Sequence, residues 1–347
     1  MIIPKNGKLN SKQLEEIKSI TSEFDCDVLE IQGHNQCVYA ILGDETHSLM
    51  FKRIAGLSYV KKVDAIESPY KLMDKSSALR ENKVEIGDIK VGENRPFIIG
   101  GPCTVDPSAP SLFIETAHAL KEAGVDALRG GVWKPRTNPY SYQGSSNAIE
   151  IILKAREETG LPVDVEVMDS IQLKIAIDAE IDILQVGTRN ALNYSLLKEI
   201  GKVSSGTKST ILLKRGRHFA SPDEFIAAAE YVVAAGNANV MLCPRGTTPA
   251  FEGYRNHPDE SITPLLKNKT WAPVVVDPSH SVGHSEYVFS SSLASIAYGA
   301  DGLCIESHID PAIGIGDDPK QAITPDNMKH LIYACREVWK YRYKPID

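Results

Sequence analysis

The sequence predicts an α/β protein, a (β/α)8 TIM barrel preceded by a small ferredoxin-like unit of βαββαβ order. Three observations carry that expectation. From residue 96 onward a short apolar strand, a loop opening on polar or charged residues, and a helical pattern recur eight times. Before residue 70 the same chain shows two strand-helix-strand pieces without those charged loops. The length, 347 residues, is too long for one average domain and too short for three.

Taken in order, residues 1–4 are an apolar strand, and an amphipathic helix follows with Leu14, Ile17, Thr21 and Phe24 on one face and Ser11 as its N-cap. Two short strands, 28–31 and 38–42, are split by the turn residues Gly33-His34-Asn35. A helix over 47–54 and a strand over 59–66 complete the unit, which is assigned to residues 1–70. Residues 71–95 read as a polar connector, within which VEIGDIKVG alternates like a hairpin about Gly87-Asp88.

The remaining stretch, 96–347, supplies the strands PFIIGG, DALRGG, VDVEV, DILQVG, TILLKRG, VMLCPRG, PVVVDPSH and DGLCIESH. Helical patterns are expected over 112–123, 148–158, 170–179, 194–200, 222–235, 287–298 and 328–339. Right-handed crossovers between parallel strands with helices outside give a barrel. An open doubly wound sheet is the structural alternative.

Composition narrows the function. The net charge is -7, and the basic residues at strand ends occur singly, which argues against nucleic-acid or anionic-membrane binding and points to a small anionic partner. No run of 18 apolar residues and no signal-peptide pattern occurs, so a soluble, cytoplasmic protein is expected. The six cysteines form no C-x-x-C pair and read as reduced thiols.

In a barrel, chemistry gathers at the C-terminal ends of the strands. There the sequence delivers Cys103; Arg129, Lys134 and Arg136; Glu166; Gln185 and Arg189; Lys214; Arg245; Asp277 and His280; and Glu306. One charged strand-end residue is ordinarily a solvated lip. Six cations around one mouth, Arg129, Lys134, Arg136, Arg189, Lys214 and Arg245, are costly in an acidic protein unless dianions neutralise them, and two phosphorylated substrates fit. Arginine forks hold carboxylate or phosphate bidentately, and lysine adds a mobile charge that can pass a proton. Gly130-Gly131, Gly187, Gly216 and Gly246 either let backbone amides approach phosphate or merely serve βα turns.

A second group, Cys103, His280, Glu306 and an Asp of GIGDDP, offers one soft, one intermediate and two hard donors from different strand ends. That mixture suits a divalent metal such as Mn, Fe, Co or Zn. Cys243 and Cys304, inside strands, read as core, His284 as a residue after a turn, and Tyr140 and Tyr142 as packing their own loop.

The motifs GPCTV (101–105), LRGGVWKPRTNPYSYQG (128–144), EVMD (166–169), QVGTRN (185–190), LLKRG (212–216), DPSHSVGH (277–284) and IESH (305–308) resemble the 3-deoxy-D-arabino-heptulosonate 7-phosphate (DAHP) synthases, in the short single-barrel subfamily with a ferredoxin-like N-terminal domain. The resemblance spans essentially the whole chain. KPRT followed by PYSYQG is its most specific part, whereas GPC and DPSH also occur in related barrels. It implies aldol-like condensation of phosphoenolpyruvate with erythrose 4-phosphate and water, releasing phosphate, in the shikimate pathway.

By that resemblance Arg129, Lys134, Arg189, Lys214 and Arg245, with the amide of Thr188, are expected to bind phosphoenolpyruvate, and Arg136 and Thr137 the phosphate of erythrose 4-phosphate. Asp277 is expected beside the substrates, and Cys103, His280, Glu306 and Asp317 on the metal. Counting back from Lys320-Gln321 selects Asp318 instead of Asp317, so the fourth ligand is open between them. Lys134 is the candidate proton donor and Glu166 the candidate partner of the attacking water.

The sequence departs from the family pattern at Thr188, Pro244 and the GDDPKQ segment. The alternatives are an octulosonate 8-phosphate synthase using arabinose 5-phosphate, which carries a KANR-type loop where this chain has Lys134-Pro135-Arg136-Thr137, and a Schiff-base aldolase using Lys214. A dead-barrel ligand sensor is the non-enzymatic reading. The family also suggests inhibition by phenylalanine or tyrosine through the N-terminal unit and a homo-oligomer, dimer or tetramer.

Overall fold

The computed structural model describes residues 1–33, 37–43, 47–64, 69–136, 138–216, 218–248, 252–315 and 319–345. Its N-terminal part is a four-stranded antiparallel sheet of β1 (Ile2–Pro4), β2 (Asp27–Gln32), β3 (Cys37–Leu42) and β4 (Val60–Val63), in the order β2-β3-β1-β4. With helices α1 (Ser11–Ser22) and α2 (Ser48–Ala55) this is the ferredoxin-like arrangement the pattern predicts. Ile17 and Ile20 of α1 and Met50 and Ile54 of α2 are buried in one cluster with Ile2, Tyr39 and Ile41 of the sheet. Asn10, not Ser11, caps α1. Its side chain accepts from the Gln13 amide at 3.0 Å while Gln13 Oε1 accepts from the Asn10 amide, a reciprocal pair that the Ser-first reading missed.

A two-stranded hairpin, β5 (Glu85–Ile86) and β6 (Ile89–Lys90), lies where the alternation about Gly87 placed it. Val84 and Ile86 join the inner barrel core formed by Phe97, Ile99, Ala127, Ile183, Leu212, Met241, Cys243, Val275 and Cys304. The hairpin therefore closes one end of the barrel with apolar side chains, and Cys243 and Cys304 are core residues as expected.

Eight parallel strands follow: β7 (Phe97–Gly101), β8 (Ala127–Arg129), β9 (Val163–Glu166), β10 (Ile183–Val186), β11 (Thr210–Lys214), β12 (Val240–Cys243), β13 (Val275–Val276) and β14 (Gly302–Glu306). They pair in the order β12-β11-β10-β9-β8-β7-β14-β13, and a parallel bridge between Leu242 and Val274 joins the two ends of that ladder. The sheet is a closed barrel, which excludes the open doubly wound alternative.

Helices α3 (Pro110–Ala123), α4 (Ala148–Thr159), α5 (Ser170–Asp178), α6 (Tyr194–Val203), α7 (Pro222–Ala234), α8 (Ile262–Lys269), α10 (Ser285–Ala297) and α11 (Pro325–Trp339) follow the strands, and a short helix α9 (Pro278–Val282) starts directly after β13. Neither α8 nor α9 was foreseen. Each is short, five or eight residues, too few turns to show a helical period. No described helix is long and apolar enough to cross a membrane.

The N-terminal sheet docks at the end of the barrel where strands begin. Gln32, the last residue of β2, forms a parallel bridge with Asn237, just before β12, and the Ala238 amide donates to its carbonyl at 3.2 Å. The connector is tied to α7 as well: the amides of Leu72 and Met73 both donate to the Glu230 carboxylate at 2.8 Å. Trp271 Nε1 donates to the Leu72 carbonyl at 2.7 Å.

Candidate active site

At the opposite end, where strands finish, Cys103, Arg129, Lys134, Arg136, Glu166, Thr188, Arg189, Lys214, Arg245 and His280 line one cleft of about 510 Å³. Residues from the ends of seven strands and the βα loops that follow them converge there. Arg129, Lys134, Lys214 and Arg245 are buried, Arg136 is half-buried and Arg189 is exposed, so the cations grade from floor to rim.

Their buried members are held by named partners. Lys214 Nζ donates to Asp277 Oδ2 at 2.5 Å. Burial would strip the ammonium of its proton, but Asp277 outweighs that and keeps Lys214 charged, with its affinity for the proton above the usual lysine value. A Schiff-base nucleophile must be a free amine, so the Schiff-base reading loses its residue. Lys134 Nζ donates to the Cys103 carbonyl at 2.5 Å, and Arg129 Nη2 lies 2.6 Å from Cys103 Sγ. Arg136 reaches Tyr142 O through Nε at 3.2 Å and Thr104 Oγ1 through Nη2 at 3.4 Å.

The three metal-type donors come together. Cys103, His280 and Glu306 are all buried, and their ligand atoms lie within 4.8 Å of one another. His280 Nε2 is 3.2 Å from Cys103 Sγ, and its Nδ1 is 2.8 Å from Asp277 Oδ2. Burial, reinforced by Lys214 and Arg129, outweighs Asp277 and holds the imidazole well below its usual value, hence neutral. Asp277 itself stays ionised: burial opposes this, but the hydrogen bond from His280 and the charges of Lys214 and Arg129 prevail. With an anion at Nδ1 the ring proton sits there, which leaves the Nε2 lone pair facing the thiol and the carboxylate. Gln321 Nε2 donates to Glu306 Oε2 at 2.7 Å, and Arg255 in turn donates to Gln321 Oε1 at 3.0 Å.

Glu166 receives Gln185 Nε2 at 3.2 Å and lies over Gly187, where a Cβ would come within 1.8 Å of its Oε1. At Gly131 a Cβ would meet the Cys103 carbonyl at 1.6 Å. Gly131 is required by this backbone approach, whereas a side chain at Gly187 would displace the Glu166 carboxylate.

Of the expected residues, Thr137, Asp317 and Asp318 lie outside the described residues. Tyr140 is 94% exposed and does not pack its loop. Arg255 was missed: it lines the cleft from the long loop after β12, far in sequence from any strand end, and no local motif marks it. His280 was found, but its helix α9 was not.

Comparisons with known proteins give the family and support the fold. The model of the DAHP synthetase I family matches residues 71–342. The phospho-2-dehydro-3-deoxyheptonate aldolase of Thermotoga maritima is 32% identical over 340 residues, covering 97% of each chain. A 2-dehydro-3-deoxyphosphooctonate aldolase of Syntrophotalea carbinolica is 30% identical over 248 residues, which covers 66% of this chain and 86% of that protein. Among solved structures, the Thermotoga maritima DAHP synthase superposes with a TM-score of 0.73 at 31% identity, covering 98% of this chain and 96% of that one. A truncated form of that enzyme gives 0.70 at 32% identity, over 79% of this chain and 97% of its own.

Proposed function

Because the chain belongs to the DAHP synthetase I family, we propose that the cleft at its strand ends binds phosphoenolpyruvate on the floor and erythrose 4-phosphate toward the rim, beside a divalent metal. The activity is that of a DAHP synthase, condensing the two substrates with water and releasing phosphate at the first step of the shikimate pathway. Similarity to a heptulosonate enzyme runs the full length of the chain, whereas the octulosonate relatives match only its larger part.

The observation that carries the assignment of the site is the cluster of four buried cations at one cleft of an acidic protein. Buried positive charge of that density is stable only against anions. Arg129, Lys134, Lys214 and Arg245, with Arg189 and the Thr188 amide above them, hold the carboxylate and phosphate of phosphoenolpyruvate. Arg136 and Thr137 hold the phosphate of erythrose 4-phosphate. Asp277, with both oxygens engaged, serves the substrate by fixing Lys214 and His280.

The donor set fits a divalent first-row metal, since a thiol, a neutral imidazole and a carboxylate converge with their second partners in place. Cys103, His280 and Glu306 would hold it, with Asp317 or Asp318 as the fourth ligand. When bound, such an ion supplies Lewis-acid polarisation of the aldehyde. Lys134, whose ammonium lies against the Cys103 carbonyl, delivers the proton to the aldehyde oxygen as C3 of phosphoenolpyruvate attacks. Glu166, oriented by Gln185, receives the proton of the water that adds at C2.

The N-terminal unit (1–70) and connector (71–95) are the regulatory part of the proposal, with 96–347 catalytic. An aromatic amino acid bound to the sheet would act on α7 through Gln32 and Glu230, the points at which the two parts are tied. A dimer or tetramer in the cytoplasm completes the reading. Phosphate release from phosphoenolpyruvate that requires erythrose 4-phosphate, with a seven-carbon product by mass, tests the whole. Release that is independent of the sugar overturns it.

A further inference from the structure

Asp164 on β9 is a buried acid that the assignments above leave without a role. It lies directly across the ladder from Arg129 on β8. Its other cross-strand neighbour, Ile183, belongs to the inner barrel core, while Val163 and Val165 pack outward in the main core, so the Asp164 side chain points into the barrel. The residue is 1% exposed. Both carboxylate oxygens lack a hydrogen-bond partner, and so does Arg129 Nη1. With Cys103, Arg129, Lys134, Glu166 and Gln185, Asp164 lines a narrow cavity beneath the cleft.

The titratable groups facing it are Cys103 from the loop after β7, Arg129 from β8 and Lys134 from the loop after it, Glu166 two residues along its own strand, Lys214 from β11, Cys243 from β12, Asp277 just after β13 and Cys304 from β14. Burial pushes the carboxyl up, Arg129 and Lys214 pull it down, and Glu166 and Asp277 raise it again, leaving it at about 7. The two groups that favour its ionised form are cations assigned to phosphoenolpyruvate. A substrate that brings carboxylate and phosphate to them adds negative charge in the same low-dielectric interior, and the nearby acid then favours its neutral form.

We propose that Asp164 is a positioning residue that takes up one proton from solvent when phosphoenolpyruvate binds, so that Arg129 exchanges a buried counter-ion for the substrate. The inference rests on the assignment of phosphoenolpyruvate to Arg129 and Lys214. The free protein keeps its cation cluster partly neutralised by ionised Asp164. In the complex the proton replaces that compensation, and the cleft does not accumulate unbalanced anions.

The test is calorimetric titration of the full-length protein, with Mn2+ present, by phosphoenolpyruvate near pH 7.5 in buffers of different ionisation enthalpy. The wild type is expected to take up most of a proton more than Asp164→Asn, which keeps the shape but cannot titrate. Above pH 7 wild-type affinity should fall relative to the Asn variant by up to about tenfold per pH unit, as linkage to one proton requires. The substrate's own phosphate ionisation is common to both proteins and cancels. A purely structural role for Asp164 would change affinity by one factor at every pH. Equal proton numbers in the two proteins overturn the inference and leave the site assignment standing, whereas no binding of phosphoenolpyruvate by the wild type overturns both. If Asp164→Asn and Asp164→Ser both fail to fold, infrared difference spectra of the wild type decide: a protonated-carboxyl band that grows on adding phosphoenolpyruvate supports the inference, and its absence overturns it.

Discussion

His280 and Asp277 face each other at 2.8 Å between Nδ1 and Oδ2, and the same carboxylate oxygen receives Lys214 Nζ at 2.5 Å. One buried anion therefore orients a metal-type ligand and a substrate-type cation together. Chelation should abolish activity, and Cys103→Ala and His280→Ala should do so while far-UV circular dichroism stays that of the wild type. Asp277→Asn should weaken metal affinity by about 10–100-fold, the usual effect of losing such an outer partner. Full turnover after chelation, with metal absent by elemental analysis, contradicts the metal assignment.

Arg136 is half-buried near the rim of the cleft and Arg245 is buried within it, and the proposed reading assigns them to different substrates. Arg136→Ala should raise the KM for erythrose 4-phosphate far more than that for phosphoenolpyruvate, with a loss of about 1.5–3 kcal/mol for one charge-assisted contact. Arg245→Ala should do the reverse. Steady-state kinetics with each substrate varied in turn checks both, and equal effects on both substrates contradict the division.

Asp164 also leaves a signature in stability. Its carboxyl sits at about 7 in the folded protein against an ordinary value of 3.8, so the folded state binds more protons than the unfolded chain between those limits. The stability this gives is fully present below pH 4 and is lost as pH rises to 7. Relative to Asp164→Asn, the wild type should lose up to about 1.4 kcal/mol per pH unit across that window and nothing further above it. Urea unfolding at a series of pH values reads this directly; a constant difference from pH 4 to 7 contradicts it.

A chain shortened to begin at Asp74 keeps the hairpin and barrel but removes the sheet and the Leu72 and Met73 amides that bind Glu230. It should retain condensation activity and lose inhibition by phenylalanine or tyrosine, because an effector acts only by binding two arrangements with different affinity. Inhibition assays on both chains check this. Full-length protein indifferent to both amino acids leaves the N-terminal unit a structural cap.

Much of this was legible in the sequence because the barrel strands are short, mostly apolar runs with charged residues at or just past their ends, so that Lys214 after TILL and Glu306 after GLCI mark both strand and site. The hairpin showed itself through alternation about Gly87. What stayed hidden depends on contacts distant in sequence or on elements too short for a period. Asn10 competes with Ser11 for the cap, and only the return bond from Gln13 decides between them. Arg255 reaches the cleft through a long loop, and its role depends on Gln321, 66 residues away. Asp164 reads as one polar letter in VDVEV, and its burial opposite Arg129 appears only once the register of β8 and β9 is known.

The most direct test of the central claim is phosphate release from phosphoenolpyruvate by metal-loaded enzyme offered erythrose 4-phosphate or arabinose 5-phosphate. The structure and the family predict rapid release with the four-carbon sugar, little or none with the five-carbon sugar, and loss of both on chelation with recovery when Mn2+ is restored. Preference for arabinose 5-phosphate would make the chain an octulosonate phosphate synthase and contradict the account.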